Sequence, residues 1–132
     1  MDAYDVALKV FDARLTNDAA AVAALFHDDV EYCISGDAGS SRLPCETCGP
    51  GGFKMMLPEL CEVWPWRGVE VLDVFSDRDR AAIRYRLTIE HAPTARLMDT
   101  VVFDLVEARD GKVSRLVEHV DTAHVERVAG AA

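Results

Sequence analysis

The segment FDLVEARDGKV, residues 103–113, decides the fold, because it joins two strand-forming stretches through a tight turn. The residues before the turn, from Leu97 onward, are rich in the types that favour strands. Gly111 lies in the turn and can take a positive φ at little cost, as a hairpin turn requires. A second strand follows from Val113 to about Asp121. The segment therefore predicts an antiparallel hairpin at the end of the chain.

The rest of the chain divides into a helical first half and a strand-rich second half. Strand patterns predict five strands, at residues 30–34, 69–75, 81–91, 97–108 and 113–121. Apolar residues at a spacing near 3.6 predict three helices, at residues 4–15, 19–26 and about 50–64. The tail to residue 132 is expected to fray. Because the helices gather at one end of the order ααβαββββ, the fold class is α+β.

Length and charge limit the possible functions. The 132 residues predict one domain spanning residues 1–132. Lys and Arg number 14 and Asp and Glu 23, a net charge of −9, which argues against nucleic acid and anionic membranes as partners. No apolar run reaches the ~20 residues of a membrane span. The acidic, amphipathic N-terminus is unlike a signal peptide, so a cytoplasmic location is expected.

Four segments occur in a characteristic order along nearly the whole chain. They are ALFHDD at residues 24–29, the glycine-rich residues 49–52, residues 103–113, and LVEHVD at residues 116–121. Together they resemble the nuclear transport factor 2-like superfamily, and within it SnoaL-like and ketosteroid-isomerase-like proteins. The resemblance implies a cystatin-like cone of curved antiparallel sheet wrapped around three helices. It also implies a pocket inside the cone and, commonly, a dimer.

The resemblance to ketosteroid isomerases is incomplete at the site. Those enzymes use a tyrosine on the first helix, an aspartate base after the first strand and a protonated aspartic acid. The corresponding positions here are Val10, Ile34 and Asp104, so only the third group is retained. The chain is therefore not expected to be a steroid isomerase of the known kind. Because this fold carries many functions, the site has to be argued from its own residues.

Asp104 is the first candidate catalytic residue, and its register decides its neighbours. If Asp104 faces the cone, the last strand presents Leu116, Glu118 and Val120 inward, and Glu118 lies beside Asp104. Two close carboxyl groups in an apolar cavity separate their pKa values, so that one acts as acid and the other as base. A shift of one residue would instead turn His119 and Asp121 inward, which makes His119 a third catalytic candidate.

A second group of side chains is predicted to bind substrate. Tyr32 and Tyr85 lie on strand faces expected to point inward, where a hydroxyl could hold a carbonyl oxygen; ordinary core packing is the alternative. Trp64 and Trp66 flank Pro65 after the third helix and could form an aromatic wall, again with packing as the alternative. The histidines expected at the surface are His27, His91 and His124. The face formed by Arg84, Arg86 and Glu90 is expected to be solvated or part of a dimer contact.

The cysteines are expected to be plain thiols. Cys45 and Cys48 form a CxxC pair, but Cys33 and Cys61 each stand alone, 12 and 13 residues from the pair. A zinc site needs a second close pair, and a redox pair should open a helix after a strand. The sequence has neither a phosphate loop nor an HExxH pattern. We therefore expect no metal and no cofactor.

Three functions from different classes remain open at this point. The first is a cofactor-independent acid–base enzyme that isomerises, cyclises or dehydrates a small apolar cyclic molecule. The second is a binding module with a pocket but no turnover, and the third is an association domain with a packed cone. A cavity well below ~300 Å³ would favour the third. A homodimer is expected in any case, because Phe103 and Leu105 fall on the face opposite Asp104 and need cover.

Overall fold

Four helices accompany the sheet in the computed structural model, which describes residues 2–35, 47–48 and 51–130. The helices are α1 (Ala3–Leu15), α2 (Ala19–Ala23), α3 (Gly52–Val63) and α4 (Thr122–Gly130). Asp2 caps α1 through a reciprocal arrangement with Asp5, in which each side chain accepts the other's backbone N–H, at 2.9 and 3.2 Å. None of the described helices is both long and apolar enough to cross a membrane.

Six strands form one curved, unclosed sheet in the order β2-β1-β6-β5-β4-β3. The strands are β1 (Phe26–Ser35), β2 (Thr47–Cys48), β3 (Trp66–Ser76), β4 (Arg80–His91), β5 (Arg96–Arg109) and β6 (Lys112–His119). Four of the neighbouring pairs are antiparallel, whereas β1 and β6 run parallel. Bulges in β3 and near the start of β6 help to bend the sheet. The predicted α+β class, with helices against a curved sheet, is confirmed.

The hairpin between β5 and β6 sets the register on which the site depends. Asp110 and Gly111 have φ angles of 56° and 74°, so both central turn residues adopt the positive φ of a type I′ turn. Arg109 pairs with Lys112 across this turn, and a bulge follows in β6, where Ser114 is the extra residue opposite Glu107 and Ala108. Beyond the bulge, alternate residues of β5 from Met98 to Val106 are buried. This is the inward register predicted from Asp104.

Helix α1 covers the concave face of the sheet. It contacts β3, β4, β5 and β6, and its first N–H group, on Ala3, donates to the Arg78 carbonyl in the β3–β4 turn at 3.0 Å. Phe11 lies at the centre of the contact, with ring centroids 4.6 Å from Tyr85 and 5.5 Å from Trp66. Aromatic packing of this kind fixes the helix over the interior of the curve.

Several element boundaries differ from the prediction. The tail is not frayed, because residues 122–130 form α4, which buries Val125 and Val128 and contacts β5. The first strand begins at Phe26, where the predicted second helix was expected to end, since Phe26 pairs with Val113 of β6.

His91 was expected at the surface but is buried. Its ring packs against Trp64, with ring centroids 4.7 Å apart.

Candidate active site

The concave side of the sheet encloses a cavity of about 110 Å³ with a mostly apolar lining. All four helices and every described strand except β2 contribute side chains to its wall. Its volume is below the ~300–1,000 Å³ of drug-sized sites and somewhat below the ~150 Å³ of an engineered cavity that binds benzene. The cavity therefore has room for about one small ring. Because a volume well below ~300 Å³ is what we expect of an association domain, this size favours a packed cone.

Asp104 of β5 is the buried acid of this cavity, with only 2% of its surface exposed. The hydroxyl of Tyr85 donates to its Oδ2 atom at 2.8 Å, while its Oδ1 atom is buried without a donor among the described residues. Burial raises the pKa of Asp104 well above the usual range, and the nearby Glu118 carboxylate raises it further. The Tyr85 hydrogen bond opposes the rise only in part. Burial therefore favours the protonated form of Asp104.

Glu118 of β6 lies directly opposite Asp104 in the strand pairing. Opposed residues of antiparallel strands have Cβ atoms about 5 Å apart, so the two side chains meet. The hydroxyl of Tyr32 donates to Glu118 Oε2 at 2.9 Å. The pKa of Glu118 is raised, because burial outweighs the lowering by this hydrogen bond, by the charge of Arg14 and by a hydrogen bond with Asp104. The pKa of Asp104 is raised more strongly, so Asp104 favours the protonated form more than Glu118 does.

The two tyrosines act as fixed donors to the carboxyl pair. Tyr32 and Tyr85 are buried, and burial together with the nearby carboxylates raises the pKa of each hydroxyl well above its usual value. Each hydroxyl therefore stays protonated. Phe53 contacts the Tyr32 ring at 4.6 Å, and Phe11 contacts the Tyr85 ring at 4.6 Å. These ring contacts hold both hydroxyl groups in position.

Arg14 is the functional candidate that the sequence prediction missed. It lies near the end of α1, is only 6% exposed and lines the cavity. Its Nη2 group donates to the Trp64 carbonyl at 3.0 Å and its Nη1 group to Cys61 Sγ at 3.3 Å. The guanidinium also lies 5.1 Å from the centre of the Trp66 ring, within the range of a cation–π contact. A buried cation thus shares the cavity with the carboxyl pair.

The other predicted site residues separate into two groups. Trp64, Trp66, Leu116 and Val120 line the cavity, which leaves their role in substrate binding open to test. His119, by contrast, is exposed on the convex face and contacts Phe103 there. Strand alternation explains the correction, because the register that turns Glu118 inward turns the next residue outward. His119 therefore lies away from the carboxyl pair.

Two positions account for the difference from ketosteroid isomerases. Val10 and Ile34, which align with the missing tyrosine and the missing base, both line the cavity. An apolar surface thus stands where those enzymes carry polar groups.

The cysteines divide between described and undescribed parts of the chain. Cys45 lies outside the described residues, and of Cys48 only the backbone, in β2, is described. Cys33 and Cys61 are free thiols, and Cys61 accepts the Arg14 hydrogen bond. Within the described part of the chain, no three His, Cys, Asp or Glu side chains come together in a metal-binding group.

The fold and the site define a class: an α+β protein with a curved sheet around an enclosed, carboxyl-bearing cavity. The chain belongs to the SnoaL-like domain family, which its sequence matches over residues 7–116. No curated protein shows a significant sequence match to it.

Solved structures share the whole fold at low sequence identity. A proposed isomerase from Bacillus subtilis superposes with a TM-score of 0.81 at 12% identity, covering 100% of this chain and 98% of its own. IdmH, a proposed polyketide cyclase from Streptomyces antibioticus, gives 0.73 at 18%, covering 98% and 99%. A nuclear transport factor 2-like protein from Burkholderia thailandensis gives 0.72 at 16%, covering 98% of each chain. The predicted SnoaL-like family is confirmed by the sequence match over residues 7–116, whereas these structural likenesses show the fold alone.

Proposed function

We propose that this protein is a cofactor-independent acid–base enzyme that acts on a small apolar cyclic molecule. One observation carries the proposal: Asp104 and Glu118 meet inside an apolar cavity, each with its own tyrosine donor. Burying two carboxyl groups together destabilises a fold unless they share a proton, so their retention favours a chemical role. The isomerase and cyclase names of the structural relatives agree with this class of reaction.

The two carboxyl groups have complementary roles in the proposed mechanism. In its ionised form, which Tyr32 and Arg14 favour against the opposing effect of burial, Glu118 takes a proton from a carbon next to a carbonyl group. Asp104, kept protonated by burial, donates a hydrogen bond to the carbonyl oxygen and stabilises the negative charge that develops there. Return of the proton to a different carbon completes an isomerisation. Cyclisation and dehydration begin with the same proton removal.

Cavity size narrows the substrate of this mechanism. A volume of about 110 Å³ fits a single five- or six-membered ring more readily than a fused polycyclic molecule. The lining by Leu116, Val120 and the two tryptophans favours an apolar ring. We therefore propose a monocyclic ketone as the simplest substrate class.

Exchange of carbon-bound protons for deuterium tests the proposal directly. Wild-type protein in deuterated buffer is expected to speed exchange next to the carbonyl of cyclopentanone, followed by NMR. Glu118→Gln should lower this rate by about 10²–10⁴-fold, the usual contribution of an acid–base group. His119→Gln is the matched control, since it changes the neighbouring residue on the convex face. Equal rates for the wild type and Glu118→Gln would contradict the mechanism.

Asp104 can be tested for its precise role in the same assay. Asp104→Ala removes both the proton and the hydrogen-bond donor, whereas Asp104→Asn keeps a donor of similar size. If Asp104 transfers a proton, both variants lose about 10²–10⁴-fold in rate. If it only stabilises negative charge, Asp104→Asn retains much of the rate. Wild-type rates in both variants would exclude Asp104 from the reaction.

The small cavity and the convex face favour association as a second candidate function. Leu97, Val101, Phe103 and Leu105 of β5, called here the outer patch, are apolar and exposed. An exposed row of apolar side chains is typical of an interface. We propose that a second copy of the chain covers this patch and forms a homodimer.

Sedimentation at micromolar concentration tests the dimer. The wild type is expected to sediment as a dimer of the 14.5 kDa chain, and Phe103→Glu as a monomer, because a charge would be buried in the interface. Met55→Glu is the control, since Met55 is an exposed apolar residue on α3, away from the outer patch. A monomeric wild type would contradict the dimer without bearing on the catalytic pair.

A further inference from the structure

Arg14 is a buried cation that forms no direct ion pair with a described carboxylate, although its charge acts on Glu118 across the cavity. It is 6% exposed, and no carboxylate among the described residues lies within ion-pair distance of it. Several exposed arginines of the sheet do pair with carboxylates, namely Arg67, Arg80, Arg84, Arg86 and Arg115. A buried charge without a partner is destabilising, whereas exposed pairs contribute little. Arg14, which is buried, therefore lacks the direct carboxylate contact that these exposed arginines have.

The guanidinium of Arg14 is nevertheless held in a fixed place. The Trp64 carbonyl and Cys61 Sγ accept hydrogen bonds from its two terminal nitrogens, and the Trp66 ring lies against it. These contacts use only two of its five N–H groups, and the others have no acceptor among the described residues. Fixed, unused donors are the arrangement that binds a ligand oxygen without further ordering.

These free donors share the cavity with the carboxyl pair. Arg14 lines the same wall as Asp104 and Glu118, yet neither a hydrogen bond nor an ion pair joins it to either of them. A planar guanidinium binds planar anionic oxygens through parallel hydrogen bonds. The surrounding wall is apolar, which strengthens such a contact because water is excluded.

We propose that Arg14 binds an acidic oxygen of the ligand, so that the substrate class is a small apolar ring that carries a carboxylate. This inference deepens the proposed function and rests on it for the reaction that follows binding. Arg14 would orient the ring, while Asp104 and Glu118 act on the carbon framework. A neutral apolar ring would leave the unused N–H groups of Arg14 without an acceptor in the occupied cavity.

Binding of two ligands of nearly equal shape tests the inference without any variant. Cyclopentanecarboxylate and cyclopentanecarboxamide differ in charge but hardly in size, and their binding to the wild type is measured by NMR titration. The carboxylate is expected to bind at least tenfold more tightly, because its hydrogen bonds to Arg14 are charge-assisted. Equal affinity for the two ligands, or tighter binding of the amide, would overturn the inference.

Variants then assign the preference to Arg14. Arg14→Gln should abolish the preference for the carboxylate, and Arg14→Lys should restore part of it as a point charge without parallel donors. Arg86→Gln is the matched control, since Arg86 lies on the convex face in an ion pair with Glu70. A preference that survives in folded Arg14→Gln would show that another group reads the charge.

The inference and the proposed function fail in different ways. Carboxylate preference that depends on Arg14, together with no deuterium exchange in cyclopentanone, would support the ligand class and contradict the proposed enzymatic activity. Exchange that depends on Glu118, together with equal binding of carboxylate and amide, would support the enzymatic activity and contradict the proposed role of Arg14. The two measurements use different ligands and different variants, so neither outcome hides the other.

Discussion

The concave and convex faces of β5 depart from the usual burial pattern in opposite ways. On the concave face, Asp104 places a carboxyl group among buried apolar neighbours, with only 2% of its surface exposed. On the convex face, Val101, Phe103 and Leu105 expose apolar side chains to 41%, 38% and 39%. A strand with one face in the core and one in water would normally carry the polar residue outside and the apolar residues inside.

The difference teaches where to look for function on such a strand. A carboxyl group buried among apolar residues lowers stability, and an exposed apolar row lowers solubility. Sequences usually avoid both, so each departure suggests a role that compensates for it. The inner departure corresponds to the proposed catalytic pair and the outer departure to the proposed dimer interface.

The largest expected effect on stability comes from placing a new charge on the concave face, compared with the same charge on the convex face. Val102→Asp puts an unpaired carboxylate in the core and should destabilise the fold by about 4 kcal/mol or more. Val101→Asp puts the same group on the convex face and should change the stability of the monomer by less than about 0.5 kcal/mol. Denaturant unfolding monitored by circular dichroism compares the two. Similar destabilisation in both variants would contradict the assignment of the faces.

The second effect concerns the proton on Asp104. Its pKa is raised in the folded state, so folding favours the protonated form, and stability is lost as the pH rises from the normal aspartate range through the raised pKa. Asp104→Asn cannot ionise, and its amide can donate to Glu118. At pH values above that pKa, the free energy of unfolding of the variant should therefore exceed that of the wild type by about 1–3 kcal/mol, the usual penalty of an unsatisfied buried group. This difference in stability should become smaller towards acid pH.

Unfolding experiments at a series of pH values provide the measurement. Burial also raises the pKa of Glu118, so Asp104→Asn should retain a weaker dependence of the same sign. Parallel pH curves for the wild type and the variant would show that Asp104 does not hold a proton in the fold. A variant that is more stable but inactive would show that this site exchanges stability for function.

The inward placement of the carboxyl pair could be predicted from the sequence because strand alternation is a strong constraint. The turn at Gly111 fixed the hairpin, and the inward set of β5 followed from period two. The same rule left one ambiguity, the register of β6, in which Glu118 and His119 exchange faces. The bulge at Ser114 of β6 is part of that register, and it depends on pairing geometry that composition does not show.

Arg14 and α4 were missed for different physical reasons. Arg14 follows Val10 by four residues and Phe11 by three, so it shares their helix face; that spacing was the available signal. An arginine at the end of a helix is usually solvent-exposed and complements the helix dipole, which obscured the signal. Helix α4 has only nine residues, and its cap, Asp121 accepting the His124 N–H at 3.0 Å, lies in a segment predicted as strand.

The smallest expected effect contrasts two neighbouring residues of β4. Tyr85 donates to Asp104 on the concave face at 2.8 Å, while Arg84 pairs with Asp73 on the convex face at 2.7 Å. Tyr85→Phe loses a buried hydrogen bond and should destabilise the fold by about 1 kcal/mol at acid pH, where Asp104 is protonated. Arg84→Gln loses an exposed ion pair, which usually contributes between 0 and about 1 kcal/mol.

The pH dependence separates the two variants more sharply than the size of the effect. The Tyr85 hydrogen bond lowers the pKa of Asp104, so it stabilises the carboxylate more than the acid. Its loss should therefore destabilise the fold increasingly as the pH rises and Asp104 ionises. The destabilisation caused by Arg84→Gln should instead become smaller on addition of salt, because exposed ion pairs are screened. If Tyr85→Phe shows the same destabilisation at every pH, the carboxyl group beside it does not titrate, and the inner face holds a structural hydrogen bond in place of an acid.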